Sequence, residues 1–137
     1  MGRILAIDYG KKRTGLAVTD TMQLIPGGLT TVPSNEVLQF ILNYCTKEPV
    51  ERIIIGLPKQ MNYEPSESMK YIEPFFRALT KRMPDMPIEY FDERFTTVLA
   101  HRAMLDGGLH KKDRQNKALA DEISAVILLQ SYMEARK

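Results

Sequence analysis

The amino-acid sequence predicts an α/β domain with a mixed, partly parallel sheet and helices packed on its faces. Three observations support this class. The N-terminal residues read as two strands joined by a short turn, and an uninterrupted isoleucine run occurs near the middle of the chain. Strand patterns then alternate with helix patterns up to the C-terminus, which is typical of α/β proteins.

The N-terminal strands form a predicted hairpin followed by one more strand. The stretch RILAIDYG alternates as a strand does, GKKRT supplies a turn, and GLAVTD returns as the second strand. A third, short strand is predicted over Leu29–Val32, after a turn at Pro26–Gly28.

The middle of the chain alternates between helix and strand. Ser34 is predicted to cap a helix over NEVLQFILNYCTKE. The next segment, VERIIIGLP, predicts a strand that is buried on both faces. The spacing of Met69, Ile72 and Phe76 predicts a second helix, which Pro74 should kink or shift at its start.

The C-terminal third contains one more predicted strand and two predicted helices. MPIEYFDE reads as the strand. Thr96 or Thr97 can cap a helix over VLAHRAML, which stops at Gly107 and Gly108. The polar loop LHKKDRQNK precedes the last helix, predicted over ALADEISAVILLQSYMEA.

Length and composition narrow the class of protein. The 137 residues suit one domain over 1–137, and 44% hydrophobic residues can build its core. A single cysteine, Cys45, allows neither an internal disulfide nor a cysteine zinc site. The sequence has no secretory leader pattern and no apolar run of roughly 18 residues. We therefore expect a soluble, cytoplasmic protein without a membrane partner.

Three acidic residues stand where carboxylates are uncommon. Asp8 shares a strand face with Ile4 and Ala6, because side chains alternate along a strand. Glu93 comes at the C-terminal end of the last predicted strand, and Asp121 lies in the first turns of the last helix. These residues are the candidate catalytic and metal-binding acids.

The last helix carries small residues around its acid. At about 100° per residue, Ser124 and Ala125 fall near Asp121 on the helix surface. A helix with small side chains there can approach a sheet closely and direct the acid towards it.

A divalent cation would explain three converging carboxylates. Ionised carboxylates on apolar surface are costly, and neighbouring ones repel each other and raise their pKa values. Oxygen ligands suit Mg²⁺ or Mn²⁺, and paired ions can activate water and stabilise the leaving oxygen of a phosphodiester. Each acid also has an ordinary interpretation: a turn hydrogen bond for Asp8, a pair with Arg94 for Glu93, and a helix-dipole contact for Asp121.

Cations cluster in two segments that could hold phosphates, residues 11–13 and residues 110–117. The net charge is only +2, so charge alone favours solvated loops over a binding surface. The candidate nucleic-acid-binding residues are Lys11, Lys12, Arg13, Arg94, Lys111, Lys112, Arg114 and Lys117.

Four motifs together resemble one family. DYGKKRTGLAVTD resembles the N-terminal motif of the YqgF family, also called RuvX. IIIGLP is similar to that family's central strand and Gly-x-Pro turn, FDERFTT to its Asp-Glu-Arg motif, and DEISAVILLQSY to its C-terminal helix. The motifs cover nearly the whole chain in the family's order. A glycine common after the Gly-x-Pro turn is replaced here by MNYEP, which leaves the path of the 59–65 loop open.

The resemblance implies an RNase H-like fold, with a five-stranded mixed sheet flanked by helices, and a nuclease that uses one or two Mg²⁺ or Mn²⁺ ions. The family's acidic site falls on Asp8, Glu93 and Asp121. The resemblance also matches Lys12 and Arg13 to the family's basic turn, where we expect phosphate contact. Arg94 is expected to position the neighbouring glutamate.

The family resemblance favours maturation of the 5′ end of 16S ribosomal RNA from its precursor, with precursor RNA and ribosomal particles as partners. A DNA endonuclease that resolves Holliday junctions is an alternative, and it predicts a symmetric dimer. A non-catalytic RNA-binding assembly factor is another, and both monomer and dimer stay open. An actin-like kinase is disfavoured, because such enzymes need two domains of this size.

The remaining chemically distinctive residues are expected to pack or to lie at the surface. Cys45 falls on the apolar stripe of a helix, so an inert buried thiol is expected. Tyr63 and Tyr90 are predicted to be packing residues before base-stacking ones. His101 and His110 lack a partner at metal-ligand spacing, so neither is assigned to catalysis.

Overall fold

The computed structural model describes residues 2–57, 69–92 and 117–136. Five strands and three helices occur in these ranges. In chain order they are β1 (Arg3–Tyr9), β2 (Arg13–Thr19), β3 (Pro26–Pro33), α1 (Val37–Lys47), β4 (Val50–Leu57), α2 (Met69–Arg82), β5 (Ile88–Asp92) and α3 (Lys117–Ala135).

The strands form one mixed sheet in the order β3–β2–β1–β4–β5. β1 pairs antiparallel with β2, which pairs antiparallel with β3. On the other side, β1 pairs parallel with β4, which pairs parallel with β5. The predicted five-stranded mixed sheet is thus confirmed, with β1 at its centre.

One face of the sheet is covered by α1 and α2. The buried residues of this layer come from β1, β2, β4 and the two helices, and they are Leu5, Ile7, Leu16, Val37, Ile41, Ile53, Ile55, Ile72, Phe75 and Leu79. The predicted helices around residues 37–47 and 69–82 are confirmed, and α2 accommodates Pro74 within its length.

The opposite face is covered by α3. Its buried residues come from four strands and the helix, and they are Ile4, Ala6, Ala17, Ile54, Phe91, Ala125, Leu128, Leu129 and Tyr132. Ile53, Ile54 and Ile55 alternate between the two layers and are all fully buried. The isoleucine run of β4 therefore has the two-sided burial that the sequence predicts.

The predicted turn at Pro26–Gly28 is wrong, because β3 already begins at Pro26. The turn lies earlier, where the Asp20 carboxylate accepts hydrogen bonds from several backbone N–H groups, including that of Ile25 at 2.8 Å. These bonds, with Ile25 first, lower the pKa of Asp20. Gln23 takes a positive φ of 57° in this turn. A proline fits at the start of β3, since β3 is an edge strand.

The prediction that Ser34 caps a helix through its side chain is also wrong. A 3₁₀ turn over Ser34–Glu36 precedes α1, and no side-chain cap bond is made there. Instead, Ser34 Oγ donates to the carbonyl of Gly10 at 2.5 Å and lies 2.8 Å from Thr14 Oγ1. Its backbone N–H donates to the carbonyl of Lys12 at 3.0 Å. Ser34 therefore fixes the turn between β1 and β2.

Replacing Ser34 by Ala is expected to lower the free energy of unfolding by about 1–3 kcal/mol, because the fully buried Thr14 hydroxyl loses this partner. Adding Thr14→Val should recover part of the loss, since both hydroxyls are then gone. Urea unfolding of the single and double variants measures both effects. A single variant within about 0.5 kcal/mol of the parent would contradict this role.

The predicted helix over VLAHRAML, its cap at Thr96 or Thr97 and its stop at Gly107 and Gly108 lie outside the described residues. The last helix is confirmed as α3. Of the helices described in residues 2–57, 69–92 and 117–136, none is both long and apolar enough to cross a bilayer.

Candidate active site

Asp8 lies near the C-terminal end of β1, the central strand. Side-chain alternation puts it on the same face as Ile4 and Ala6, which are buried beneath α3. The predicted shared face is confirmed. Asp8 itself is half-buried, so it lies at the margin of this layer.

Glycines stand beside Asp8 on both neighbouring strands. Gly15 is its partner on β2. On β4, the register that pairs Ile7 with Ile55 places Gly56 next to Asp8. Neither neighbour adds a side chain beside the carboxylate, although both glycines are buried. Sequence reasoning missed this pair, because glycines become neighbours of Asp8 only once the strand order is known.

α3 lies across β1, β2 and β3 and packs the small residue Ala125 against the sheet. Ala125 is completely buried, which allows the close approach that the sequence predicts. Ser124 is exposed, so of these two small residues it is Ala125 that packs against the sheet. Helix position 121 lies one turn before Ala125, and the side chain of Asp121 is outside the described part of the structure.

The neighbouring acid, Glu122, has a defined place over β3. A Cβ built on Gly28 would lie 2.8 Å from Glu122 Cγ and closer still to one carboxylate oxygen. The Glu122 side chain therefore lies against Gly28, two strands away from Asp8. This placement favours Asp121 over Glu122 as the acid of α3 that serves the candidate site.

Several predicted site residues lie outside the described residues. They are Glu93, Arg94, Lys111, Lys112 and Arg114, together with the side chain of Lys117, whose backbone begins α3. Within residues 2–57, 69–92 and 117–136, no three Asp, Glu, His or Cys side chains form a group that could hold a metal ion. Of the three acids, only Asp8 has a described side chain, so the three-acid site stays a prediction.

The basic turn between β1 and β2 presents its lysines to solvent. Lys11 and Lys12 are exposed, whereas Arg13 is half-buried at the start of β2. The Lys11 ammonium lies 5.5 Å from the ring centroid of Tyr71, in the first turn of α2. Hydrogen bonds from Ser34 to the carbonyls of Gly10 and Lys12 hold the backbone of this turn. The basic side chains therefore extend from a fixed backbone that follows Asp8 in the chain.

Cys45 and Tyr90 both pack against the core, as the sequence predicts. Cys45 packs partly buried against the core, and burial raises the pKa of its thiol, as expected of an inert cysteine. The Tyr90 ring stacks on Phe76 with centroids 4.4 Å apart, which confirms a packing role. Tyr63, His101 and His110 lie outside the described residues.

Sequence comparison finds close relatives over the whole chain. The family model described as RuvX, Holliday junction resolvase, matches residues 2–135. A Bacteroides fragilis protein named "Putative pre-16S rRNA nuclease" is 72% identical over 137 residues, covering 100% of this chain and 99% of its own. A Bacteroides thetaiotaomicron protein of the same name is 70% identical with the same coverage.

Structure comparison finds the same architecture in a more distant protein. RuvC of Thermus thermophilus, in complex with a Holliday junction substrate, superposes with a TM-score of 0.60 and 14% identity over 98% of this chain and 96% of that one. A second structure of Thermus thermophilus RuvC gives a TM-score of 0.53 at 15% identity. At these identities the likeness establishes the shared fold, which is the RNase H-like fold that the sequence predicts.

Proposed function

Since this chain belongs to the RuvX family, we propose that it is a single-domain nuclease that hydrolyses phosphodiester bonds of structured nucleic acid. We propose precursor 16S ribosomal RNA as its substrate, because relatives 70% and 72% identical carry the name of a pre-16S rRNA nuclease. With this substrate, the protein would act in the bacterial cytoplasm and would have ribosomal particles as partners.

One structural observation supports assigning this function to particular residues. Asp8 is an acid on the central strand of the sheet, half-buried on the face covered by α3 and flanked on both sides by glycine. Because neither neighbouring strand places a side chain beside it, this carboxylate is compatible with a bound cation and a phosphate. The basic turn that follows Asp8 supplies the positive charge that a phosphate backbone needs.

The donors proposed for this site fit a divalent cation. All three are carboxylates, and Mg²⁺ and Mn²⁺ prefer oxygen ligands. Bound there, such an ion would supply a Lewis acid that activates water and offsets charge on the phosphate and the leaving oxygen. Asp8, Glu93 and Asp121 are the residues that would hold one or two ions.

The other residues of the proposed site would bind the phosphates of the substrate and position Glu93. Lys12 extends from the fixed turn into solvent and would contact a phosphate beside the scissile bond. Arg13 would contact the next phosphate, since Arg can engage phosphate oxygens through two N–H groups. Arg94 would position Glu93 through an ion pair. Together these contacts would hold the phosphodiester in line for attack by water.

Adjacent acids of α3 provide an internal test of the assignment. Asp121→Asn should lower turnover by about 10²-fold or more, because the site loses a charged ligand. Glu122→Gln should keep turnover within a few-fold of the parent, since that side chain lies against Gly28 on β3. Initial cleavage rates with Mn²⁺ measure both variants. The reverse order of effects would assign the site to Glu122 instead.

The substrate is tested with one protein preparation on two nucleic acids. Precursor 16S ribosomal RNA and a four-way DNA junction are incubated with the protein and Mg²⁺ or Mn²⁺, beside an Asp8→Asn control. We expect cleavage near the 5′ end of the mature RNA sequence and little cleavage of the junction. Efficient, paired cuts in the junction and none in the RNA would overturn the RNA assignment.

The family model that matches this chain is that of a Holliday junction resolvase, which favours a second candidate function. Two coordinated cuts need two active sites related by symmetry, so this candidate predicts a dimer under cleavage conditions. Sedimentation with bound junction DNA measures the stoichiometry. Binding to RNA without cleavage of either nucleic acid, and without calorimetric Mn²⁺ binding, would instead indicate a non-catalytic assembly factor.

A further inference from the structure

We infer that Tyr71 is a stacking platform for an unpaired base of the substrate strand, next to the basic turn between β1 and β2. The inference rests on the proposed nuclease function and adds a binding residue to it. It also gives the substrate a required feature, an unpaired nucleotide beside the phosphates that the basic turn would hold.

Tyr71 is the single exposed aromatic side chain among the described residues, with 41% of its surface accessible. The other aromatic rings of these segments are buried or half-buried, and most of them pack on one another, as Tyr9 does on Phe75 and Phe76 on Tyr90. Among residues 2–57, 69–92 and 117–136, no aromatic partner is seen for the Tyr71 ring, and its described contact is with Lys11. Base stacking is a use that needs an exposed ring, because every base offers a π-face.

The surroundings of Tyr71 carry positive charge. The Lys11 ammonium lies 5.5 Å from the ring centroid, and Lys12 and Lys70 are exposed close by in the chain. The nearest acid on α2, Glu73, pairs with Arg77 one turn further along the helix. An aromatic face among lysines is the combination with which proteins bind single strands: the cations hold phosphates while the ring holds a base.

The basic turn links the strand that carries Asp8 to the surroundings of Tyr71. Asp8 and Lys11 are three residues apart in the chain, and the Lys11 ammonium lies 5.5 Å from the Tyr71 ring centroid. Adjacent strand residues point to opposite faces, so Asp8 faces the α3 layer, whereas Tyr9 stacks on Phe75 of α2 on the other face. A nucleic-acid strand that contacts both Asp8 and Tyr71 must therefore pass over the basic turn.

The contact between Lys11 and Tyr71 is compatible with binding of a base at the ring. A cation and a base can occupy opposite faces, or the lysine can move to a phosphate when the base arrives. Base–aromatic stacking of this kind corresponds to a roughly 5- to 150-fold loss in affinity when the aromatic residue is replaced by Ala.

A tryptophan reporter tests the inference directly, because the chain contains no Trp. Tyr71→Trp is made in the Asp8→Asn background, with EDTA present, so that the probe stays intact. The probes are a short single-stranded RNA and a blunt duplex of equal length. We expect the single strand to quench the fluorescence of the introduced tryptophan and the duplex to leave it largely unchanged. Binding of the single strand, seen by anisotropy, without quenching would overturn the inference.

Substitutions at Tyr71 separate stacking from other roles. Tyr71→Ala and Tyr71→Leu should bind the single strand about 5- to 150-fold more weakly, whereas Tyr71→Phe should stay within about twofold. Leu24→Ala, at an exposed residue of the turn before β3, is the matched control and should not change binding. Equal affinities of the Leu and Phe variants would show that the ring is not used for stacking.

The two proposals fail in different ways. If the parent protein cleaves RNA and Tyr71→Leu binds and cleaves like the parent, the platform is wrong and the nuclease function stands. If no nucleic acid is cleaved in Mg²⁺ or Mn²⁺ but the single strand still quenches the Tyr71→Trp reporter, the nuclease function is wrong and a binding surface at Tyr71 stands.

Discussion

Asp8→Asn is expected to reduce cleavage of precursor 16S ribosomal RNA by about 10³-fold or more. The substitution keeps the size of the side chain and removes the charge that would hold a cation on the central strand. Charge stabilisation by a metal ion contributes several kcal/mol to such reactions, and each 1.36 kcal/mol is a factor of ten in rate. Single-turnover cleavage in Mn²⁺ is the measurement.

Binding and stability provide the controls for Asp8→Asn. Affinity for the RNA should change little, because the basic turn and Tyr71 are untouched. Mn²⁺ should raise the Tm of the parent protein and should raise that of the variant much less, since ligands stabilise the folded state that binds them. Full turnover by the variant would remove Asp8 from the site.

Ala125→Leu is expected to have the second-largest effect, on both stability and turnover. Ala125 is completely buried between α3 and the sheet, so three additional carbon atoms must force the helix outward. Overpacking of this kind costs typically 1–3 kcal/mol. It should also shift helix position 121 relative to Asp8, and misplacement of a catalytic group by about 1 Å can lower a rate 10²-fold.

Ala135→Leu is the matched control for Ala125→Leu, because it is the same substitution on the same helix at an exposed position. Urea unfolding and initial rates are measured for both variants. The control should stay within about 0.5 kcal/mol of the parent and keep its rate. Loss of stability at Ala125 with an unchanged rate would separate the position of α3 from catalysis, which would contradict the site proposed here.

The parts of the fold that were predictable are those with strong apolar patterns. The isoleucine run of β4 and the alternation in β1 identify strands because their burial follows directly from residue type. The sequence wrongly predicts a turn at Pro26 because proline is typical of turns, whereas an edge strand also tolerates it. It wrongly predicts a capping role for Ser34 because the side-chain partners of Ser34, Gly10 and Thr14, are distant in sequence.

In the candidate site, too, some features are predictable from the sequence and others depend on contacts between distant parts of the chain. Asp8 is conspicuous in the sequence, because a carboxylate in an apolar strand is uncommon. Its glycine neighbours, Gly15 and Gly56, become meaningful only when β2 and β4 are known to flank β1. The exposure of Tyr71 depends on which helix face packs on the sheet, and the spacing of apolar residues in α2 does not single it out.

The strand order also sets the order in which the chain can fold during its synthesis. The antiparallel half of the sheet, β1 to β3, uses contiguous residues and can pair as soon as Pro33 has left the ribosome. The parallel half must wait for β4 and β5, because parallel pairing spans long stretches of chain and forms slowly. Until then one edge of β1 stays unpaired, and this edge is where a nascent chain would be most prone to aggregate.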